Sequence, residues 1–354
     1  MAVLRIAVIG GDGIGPEVID QAIHGADAAA RKCDKVELAW NKLPWSSAYY
    51  KAHGFMMPAD GWDTLRDHDA ILFGAVGDPT VPDTIPVHQL LLPMRRKFDQ
   101  YVNLRPAYLF AGVPCPLSGK KPGDIDMLMF RENTEGEYAP VGGQLYAATE
   151  HEIAVQTGVF TRRGCDRILR AAFDAARKRP RKKLTSITKS NAQVFSMGLW
   201  DQVFAEVRKD YPDVNSSSLL VDAAAMDFVR KPESFDVVVA SNLFGDILTD
   251  LSAAVTGSIG LASSANINPT RKFPSMFEPV HGSAPDITGK GIANPLAAVL
   301  SASLLLQHLG LEKSGQALRD AVAKVLAEGK VKTPDLGGTG TTTQMGDAVV
   351  AAIG

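Results

Sequence analysis

Apolar residues along the chain cluster in short runs, and most of these runs are followed by a stretch in which apolar residues recur with the period of a helix. Runs that are mostly apolar lie at 4–9, 69–74, 219–221 and 237–240, and a further strand is predicted at 184–188. Short continuous runs of this kind are typical of strands buried on both faces. Residues 163–179 and 313–328 instead repeat apolar side chains every three to four positions, which predicts amphipathic helices. Strands that alternate with helices predict an α/β fold with a largely parallel sheet.

The stretch 291–311 is the longest one without Asp, Glu, Lys or Arg. Its length resembles that of a membrane span, but Asn294, Pro295 and His308 are among the polar or helix-breaking residues that interrupt it. We therefore predict a buried helix here and no membrane association.

The apolar run at 237–240 is followed by residues that could bind a metal ion. Ser241 ends the predicted strand, Gly245 would allow a tight turn, and helical spacing starts near Asp246. Asp246 and Asp250 are then four residues apart on one helix face, where two like charges repel by a few tenths of a kcal/mol. Two interpretations carry equal weight at this point: the acids complement the helix dipole, or they bind Mg²⁺ or Mn²⁺, which prefer carboxylate oxygens.

Composition narrows the class of protein. A length of 354 residues suggests about two domains. The net charge of −2, with acidic and basic residues mixed, argues against nucleic acid or an anionic membrane as partner. The N-terminal segment lacks the shape of a signal peptide, and the three scattered cysteines fit free thiols. We therefore expect a cytoplasmic protein.

The segment GGDGIGPEVI follows the first predicted strand and resembles a dinucleotide-binding turn. That fingerprint needs three glycines in the pattern G-x-G-x-x-G. Gly11 and Gly13 fit the first two positions, but Pro16 occupies the third. The acidic residue expected about 20 residues later, at the end of a second strand, is also missing. The pattern therefore does not indicate a standard Rossmann fold, and a plain strand-to-helix turn explains the glycines equally well.

Basic side chains that could bind a substrate or transfer a proton follow later in the chain. Arg95, Arg105 and Arg131 lie within 37 residues, and a guanidinium group can bind a carboxylate through two parallel hydrogen bonds. Lys189 comes at the carboxyl end of a predicted strand, a suitable place for proton transfer. Taken singly, each of these residues is more often a solvated or ion-paired side chain.

Several motifs occur together and in a fixed order. They are GDGIGPEV, YVNLRP, RENTEGEY, TKSN, VDAAAM, NLFGDILTD and HGSAPDITGKGIANP. This set resembles the β-decarboxylating dehydrogenases, the family of isocitrate and 3-isopropylmalate dehydrogenases, over nearly the whole chain. FDQYVNLRP, RENTEGEY and TKSN are most similar to the branch of tartrate and D-malate dehydrogenases.

The resemblance implies an α/β, isopropylmalate-dehydrogenase-like fold of two domains. A discontinuous NAD-binding domain would comprise 1–103 and 256–354, and a substrate and dimerisation domain would comprise 104–255. It also implies a homodimer whose active sites are shared across the interface. The expected cofactors are NAD and Mg²⁺ or Mn²⁺, and a requirement for K⁺ stays open.

The resemblance also assigns residues to roles. Asp246 and Asp250 would bind the metal together with Asp222 of the second subunit. Lys189, also from that subunit, would accept the proton of the substrate hydroxyl, and Tyr138 would protonate C3 after decarboxylation. The substrate-binding residues would be Arg95, Arg105, Arg131, His88, Leu91 and Asn191.

NAD would bind to loops specific to this family. The implied contacts are Ala75, Val76, Gly77, His281, Gly282, Ser283, Ala284, Asp286, Ile287 and Asn294. His281 would lie against the adenine and Asn294 would bind its edge. The carboxylate of Asp286 can accept hydrogen bonds from ribose hydroxyls and would repel a 2′-phosphate, so NAD is expected rather than NADP.

The resemblance implies oxidation of a 2-hydroxy dicarboxylate with loss of CO₂, with D-malate or tartrate as the expected substrate. The segment PVHQLLLPM departs from the patterns of both branches. Isopropylmalate enzymes have a glutamate at the position of His88, although two of their leucines match Leu91 and Leu92, and the tartrate and D-malate branch usually has Ser-Leu-Trp-Gly in this region. Pro93 should also kink or break the helix. His88 could bind a polar group on C3 or be a solvated residue. The alternatives are 3-isopropylmalate or another 3-substituted malate as substrate and, more remotely, a metal-dependent hydrolase or an inactive nucleotide-binding scaffold.

Overall fold

The computed structural model describes residues 3–354, and the chain divides into two compact units. Unit 1 contains the residues up to 100, 105–125 and 253–354, and unit 2 contains 101–104 and 126–252. Among the described residues, no helix combines the length and the apolar character that crossing a membrane requires. Cys33, Cys115 and Cys165 are free thiols, as predicted.

Five strands of unit 1 lie side by side in the order β2-β1-β3-β12-β11. Their bounds are β1 (Leu4–Gly11), β2 (Leu38–Leu43), β3 (Ala70–Ala75), β11 (Ser263–Ile267) and β12 (Ser275–Pro279). Neighbours are parallel except β11 and β12, which are antiparallel. Residues of β1 and β3, among them Ile9 and Phe73, belong to a buried apolar cluster, and burial of each such side chain stabilises the fold by about 1.5–3 kcal/mol.

The helices of unit 1 are α1 (Gly15–Ala29), α2 (Ser47–His53), α3 (Gly61–Arg66), α4 (Thr84–Pro86), α5 (Leu92–Lys97), α10 (Leu296–His308), α11 (Glu312–Glu328) and α12 (Thr342–Ile353). In α10 nearly every side chain from Leu296 to Leu306 is buried. The prediction of a buried helix within 291–311 is therefore confirmed.

Four parallel strands of unit 2 lie in the order β5-β10-β8-β9. They are β5 (Asp126–Glu132), β8 (Lys183–Thr188), β9 (Asn215–Leu220) and β10 (Val237–Ala240). The helices are α6 (Arg162–Lys178), α7 (Ser196–Val207), α8 (Val221–Arg230) and α9 (Asn242–Val255), and β6 (Gly142–Leu145) pairs with β7 (Ile153–Gln156) in an exposed antiparallel hairpin. With β4 (Val102–Tyr108), these elements confirm the predicted α/β fold with a largely parallel sheet.

Residues 105–125, which the sequence-based division assigns to the central domain, pack with unit 1. The backbone N–H of Leu109 donates to the carbonyl of Ile125, 3.0 Å away. A Cβ atom on Gly112 would lie 1.9 Å from the carbonyl oxygen of Leu326. Glycine is therefore required where this segment passes against α11.

Two predicted boundaries near candidate residues are wrong. Helix α9 begins at Asn242, four residues before Asp246, because Ser241 already ends the strand. Asp246 and Asp250 therefore lie beyond the first helical turn. Asp222, which directly follows the strand predicted at 219–221, is instead the second residue of α8, since β9 ends at Leu220.

Pro93 does not break the helix in which it lies. Contiguous α-helical and π-helical segments cover Thr84–Lys97, and the π-helical segment is Val87–Leu91. There the N–H of Leu92 donates to the carbonyl of Val87, five residues earlier. Because Pro93 has no N–H to continue the α-helical pattern, a single widened turn before it accommodates the ring.

Candidate active site

The side chain of Arg131 packs directly against the backbone of α9. A Cβ atom on Gly245 would lie 2.7 Å from both Cβ and Cγ of Arg131, closer than carbon atoms approach in van der Waals contact. Gly245 lies within the helix, so the prediction that it forms a turn is wrong. Its function is to admit the arginine.

Asn242, the first residue of α9, orients the buried guanidinium group of Arg131. Its Oδ1 accepts hydrogen bonds from Nε and Nη2 of Arg131 at 2.9 and 2.7 Å, and its Nδ2 donates to the carbonyl of Glu135 at 2.8 Å. Nη1 of Arg131 donates to Oδ1 of Asp246. The carboxylate and the amide therefore fix the plane of the guanidinium group.

Tyr138 completes this cluster. Its hydroxyl donates to Oδ2 of Asp246 at 2.7 Å, and the guanidinium carbon of Arg131 lies 5.3 Å from the centre of its ring. Three residues predicted for the active site are thus brought together in unit 2, although they are separated by up to 115 positions in the sequence. A carboxylate, a cation and a phenol in mutual contact can bind a polar ligand and donate a proton to it.

Asp250 is exposed one helical turn after Asp246 on α9. Over the described range 3–354, no three His, Cys, Asp or Glu side chains are grouped in a way that could hold a metal ion. The two carboxylates of α9 supply hard oxygen ligands that suit Mg²⁺ or Mn²⁺, but such an ion needs further ligands. The pair fits part of a metal site.

Lys189 and Asp222 form an ion pair in the same chain. Nζ of Lys189 donates to Oδ1 of Asp222 at 2.6 Å, and this hydrogen bond lowers the pKa of the Asp222 carboxyl. Lys189 follows β8, and Asp222 lies in the first turn of α8, which follows the neighbouring strand β9. Asn191 is exposed two residues after Lys189. The two residues that the sequence assigns to a neighbouring subunit thus lie side by side.

The other two arginines of the predicted trio lie in unit 1 and are buried. Nη2 of Arg95 donates to Oε1 of Glu278 at 2.9 Å, and the same oxygen accepts a hydrogen bond from Asn266 at 2.7 Å. Arg105 is on β4. Arg95 therefore has a protein carboxylate as partner, which the sequence did not indicate.

The two predicted specificity residues differ in exposure. His88 lies on the π-helical segment and is exposed. Leu91 is partly buried and packs against the apolar cluster of unit 1 that includes Leu90 and Met94. Of the two, only the histidine presents its side chain to solvent.

The predicted nucleotide loops of unit 1 are adjacent. A Cβ atom on Gly77 would lie 3.1 Å from Oγ of Ser283, so the loops 75–77 and 281–287 approach each other at this glycine. Ser283 is buried, whereas Gly282 and Asp286 are exposed. Ala284 accepts a hydrogen bond from the N–H of Ile287 and has a φ of 44°, so a tight turn presents Asp286.

His281 carries an unused polar atom. Burial lowers the pKa of its imidazole, so the ring is neutral at pH 7. Its Nδ1 lies 3.0 Å from the carbonyl oxygen of Gly282 and donates to it, and its buried Nε2 has no partner among the described residues. Nε2 is then an acceptor for which a ligand would supply the donor.

Asn294 is tied into the fold by both ends of its side chain. Its Nδ2 donates to Asp335 at 2.9 Å, and its Oδ1 accepts the N–H of Leu296 at 3.0 Å. Asp335 also accepts hydrogen bonds from Ser258 and Thr333. Sequence reasoning missed Asp335, as it missed Asn242 and Glu278, because a single Asp or Asn carries no periodic signal.

Comparisons with known proteins give a consistent result. A family model described as isocitrate/isopropylmalate dehydrogenase matches residues 5–349. The chain is 52% identical over 360 residues to D-malate dehydrogenase [decarboxylating] of Escherichia coli (strain K12), with 100% of this chain and 99% of the relative covered. It is 52% identical over 353 residues to tartrate dehydrogenase/decarboxylase of Pseudomonas putida, with 98% and 96% covered.

The fold has solved counterparts. Isocitrate dehydrogenase from Methylococcus capsulatus superposes with a TM-score of 0.89 at 35% identity, and 99% of each chain is covered. The isopropylmalate-dehydrogenase-like fold expected from the motifs is confirmed. The chain belongs to the isocitrate/isopropylmalate dehydrogenase family and is a decarboxylating dehydrogenase, an oxidoreductase that acts on a CH–OH group.

Proposed function

We propose that the chain oxidises and decarboxylates a 2-hydroxy dicarboxylate, with NAD⁺ as hydride acceptor and Mg²⁺ or Mn²⁺ as metal. D-malate or tartrate is the proposed substrate. The cluster of Arg131, Tyr138 and Asp246 carries this proposal, because it combines a group that binds carboxylates, a proton donor and a metal-ligating oxygen. The names of the two curated relatives at 52% identity agree with the substrate class.

Each residue of the cluster has a defined task in this reaction. Arg131 would bind the carboxylate that leaves as CO₂, and its orientation by Asn242 would limit the entropy lost on binding. Lys189 would take the hydroxyl proton, and Tyr138 would deliver a proton to C3 of the product enolate. Asp246 and Asp250 would hold the metal, which would supply a Lewis acid for the developing ketone, and the loops of unit 1 would hold NAD⁺, which would supply the hydride acceptor.

The features of unit 1 support NAD as the nucleotide. The free acceptor on neutral His281 suits an exocyclic amino group such as that of adenine. Exposed Asp286 can accept hydrogen bonds from two ribose hydroxyls and would repel a 2′-phosphate.

Exposure of apolar side chains in unit 2 supports a homodimer. Those on α8, α9 and the hairpin are Met226, Val229, Ile247, Leu145, Ile153 and Val155. Apolar side chains exposed on three elements of unit 2 are consistent with a protein partner, and a second copy would supply Lys189 and Asp222 as one pair.

Two substitutions test the catalytic assignments. Lys189→Met removes the proposed base, and Tyr138→Phe removes only the hydroxyl. Each variant should reduce NAD⁺ at less than about one hundredth of the wild-type rate, since general acid–base groups contribute about 10²–10⁴-fold. Unchanged circular dichroism and melting temperature would show that folding is intact, and a wild-type rate in either variant would contradict its assignment.

A further inference from the structure

The turn GDGIG, which fails as a dinucleotide fingerprint, contains a buried carboxylate. Oδ1 of Asp12 accepts the backbone N–H of Ser47 at 2.8 Å. Its Oδ2 accepts the hydroxyl of Ser47 at 2.6 Å and the backbone N–H of Gly77 at 2.9 Å. One side chain therefore ties the turn both to α2 and to the proposed nucleotide loop 75–77.

The backbone of the same turn holds both proposed nucleotide loops. The N–H of Asp12 donates to the carbonyl of Ala75 at 2.7 Å, and the N–H of Ile14 donates to the carbonyl of Ser283 at 2.9 Å. Gly11 and Gly13 have φ values of 73° and 58°, and a Cβ atom on either would lie 1.9 or 2.0 Å from those two carbonyl oxygens.

The glycines of the turn thus admit protein carbonyl groups. A phosphate-binding turn uses its glycines to let the backbone approach a pyrophosphate. Here the space beside Gly11 and Gly13 is already filled by Ala75 and Ser283. This explains why the turn needs glycine at both positions although it lacks the glycine spacing of a Rossmann dinucleotide-binding turn.

Glu17, in the first turn of α1, faces the segment 291–294, which ends at Asn294, a third proposed contact region for the nucleotide. The backbone of Ala293 and Gly291 and the hydroxyl of Thr342 lie against its carboxylate. Thr342 in turn donates its hydroxyl to the carbonyl of Ala293 at 2.7 Å. The two acids of the motif, Asp12 and Glu17, therefore face different loops.

We propose that Asp12 is a positioning residue for NAD, which fixes the loop 75–77 through the N–H of Gly77 while the turn around it fixes the loop at Ser283. This inference rests on the proposed function, because it assumes that these loops bind NAD. Asp12 itself would not touch the nucleotide. Its contribution would be to hold the backbone in the binding conformation before the ligand arrives.

The substitution Asp12→Asn tests the inference with little change of shape. Asn has one acceptor oxygen where Asp has two, so the N–H of either Ser47 or Gly77 would face its NH₂ group, donor against donor. Any hydrogen bond that Gly77 keeps would also lose the charge of the carboxylate and be weaker. The matched control is Ser47→Ala, which removes the other hydrogen bond accepted by Oδ2 of Asp12 and leaves the bond from the N–H of Gly77. The dissociation constant of NADH is measured by fluorescence, and KM for NAD⁺, KM for the acid and the melting temperature are measured on the same proteins.

We expect Asp12→Asn to weaken NADH binding and raise KM for NAD⁺ by about tenfold, the loss typical of a hydrogen bond to a charged group. KM for the acid should stay within about twofold of wild type, and Ser47→Ala should bind NADH within about twofold of wild type, because the bond to Gly77 is retained. A purely structural role would instead lower the melting temperature of both variants and leave NADH binding unchanged.

Three results would overturn the inference, and the first of them leaves the proposed function standing. If wild-type protein binds NADH and Asp12→Asn binds it equally well, the positioning role is wrong and the proposed function stands. If wild-type protein binds no NADH, both are wrong. If Asp12→Asn does not fold, hydrogen exchange of the wild-type protein tests the inference instead. Slow exchange of the Gly77 amide supports its hydrogen bond to Asp12, and exchange at the rate of an open loop contradicts the inference.

Discussion

At the scale of single residues, Gly245 shows how a missing side chain can define a site. The absence of Cβ lets Arg131 lie against α9, where Asn242 and Asp246 accept its hydrogen bonds. The sequence indicated Arg131 and Asp246 as candidate site residues but gave Gly245 the wrong function, because the contact of Gly245 with Arg131 joins positions that are distant in sequence. Local spacing cannot reveal a helix glycine that is needed for packing.

Gly245→Ala should therefore displace Arg131. Overpacking of this kind costs about 1–3 kcal/mol of stability, and the misplaced guanidinium should raise KM for the acid. The control is Gly198→Ala in α7, where no atom lies within 4 Å of the added Cβ. That variant should gain up to about 1 kcal/mol from the higher helix propensity of alanine. Equal stability and equal KM in the two variants, measured by urea unfolding and steady-state kinetics, would contradict the packing account.

His308 provides a prediction for pH. Burial and the positive charge of Arg271 lower the pKa of its imidazole to about 4, and its ring lies 5.4 Å from that of Phe277. In the unfolded chain a histidine has a pKa of about 6.5. The unfolded state therefore binds the proton more tightly, and stability falls as the pH decreases from about 6.5 towards 4.

The variant His308→Gln should remove this part of the pH dependence. Between pH 7 and pH 5, wild type should lose on the order of 1 kcal/mol more unfolding free energy than the variant, after allowance for partial exposure of the ring. Urea midpoints at the two pH values measure the difference. An identical loss in both proteins would show that His308 is not the group responsible.

At the scale of elements, Glu137 joins the segment 131–138 to the start of α9. Its carboxylate accepts the hydroxyl of Ser241 at 2.8 Å and the backbone N–H of Leu243 at 3.1 Å. A carboxylate at a helix N-terminus satisfies a donor that has no partner within the helix. The element that carries Asp246 is thus capped by the residue next to Tyr138.

A double-mutant cycle of Glu137→Ala and Ser241→Ala tests this link. Each single substitution should lower the unfolding free energy by about 1 kcal/mol or more. Because the two side chains are hydrogen-bonded, we expect a coupling energy of about 0.5–3 kcal/mol. Strictly additive effects would show that the cap does not join the two elements.

The elements also show what the sequence can predict. Short runs of mostly apolar residues located β1, β3 and β10, because strands buried on both faces leave a clear pattern. The hairpin of β6 and β7 was missed, since each of its strands is only four residues long and all of these residues are exposed. Contacts of Asp12 with Gly77 and of Arg131 with Asn242 span 65 and 111 positions, and they could be found only in the folded chain.

At the scale of the whole molecule, the proposed dimer would share its active sites. If Lys189 and Asp222 of one subunit serve Asp246 of the other, two inactive variants should complement each other. Mixed dimers of Lys189→Met with Asp246→Asn would have one intact site of two. With random exchange of subunits in a symmetric dimer, about a quarter of the wild-type activity should return.

The measurement is NAD⁺ reduction after the two purified variants are mixed under conditions that allow subunit exchange. Each variant alone, treated in the same way, is the control. Sites built from a single chain would predict no recovery. In that case the shared site is wrong, whatever the oligomeric state found by analytical ultracentrifugation.

The most direct test of the central proposal is NADH formation with Mn²⁺ or Mg²⁺ across D-malate, both tartrates, 3-isopropylmalate and isocitrate. NADP⁺ is tested in parallel, and a chelator serves as control. We predict that D-malate or a tartrate gives the highest kcat/KM, that NAD⁺ is preferred and that the chelator abolishes the rate. If 3-isopropylmalate gives the highest kcat/KM, the substrate assignment is wrong and the reaction class is unaffected. No reduction of either nucleotide by any of these acids would contradict the proposed function.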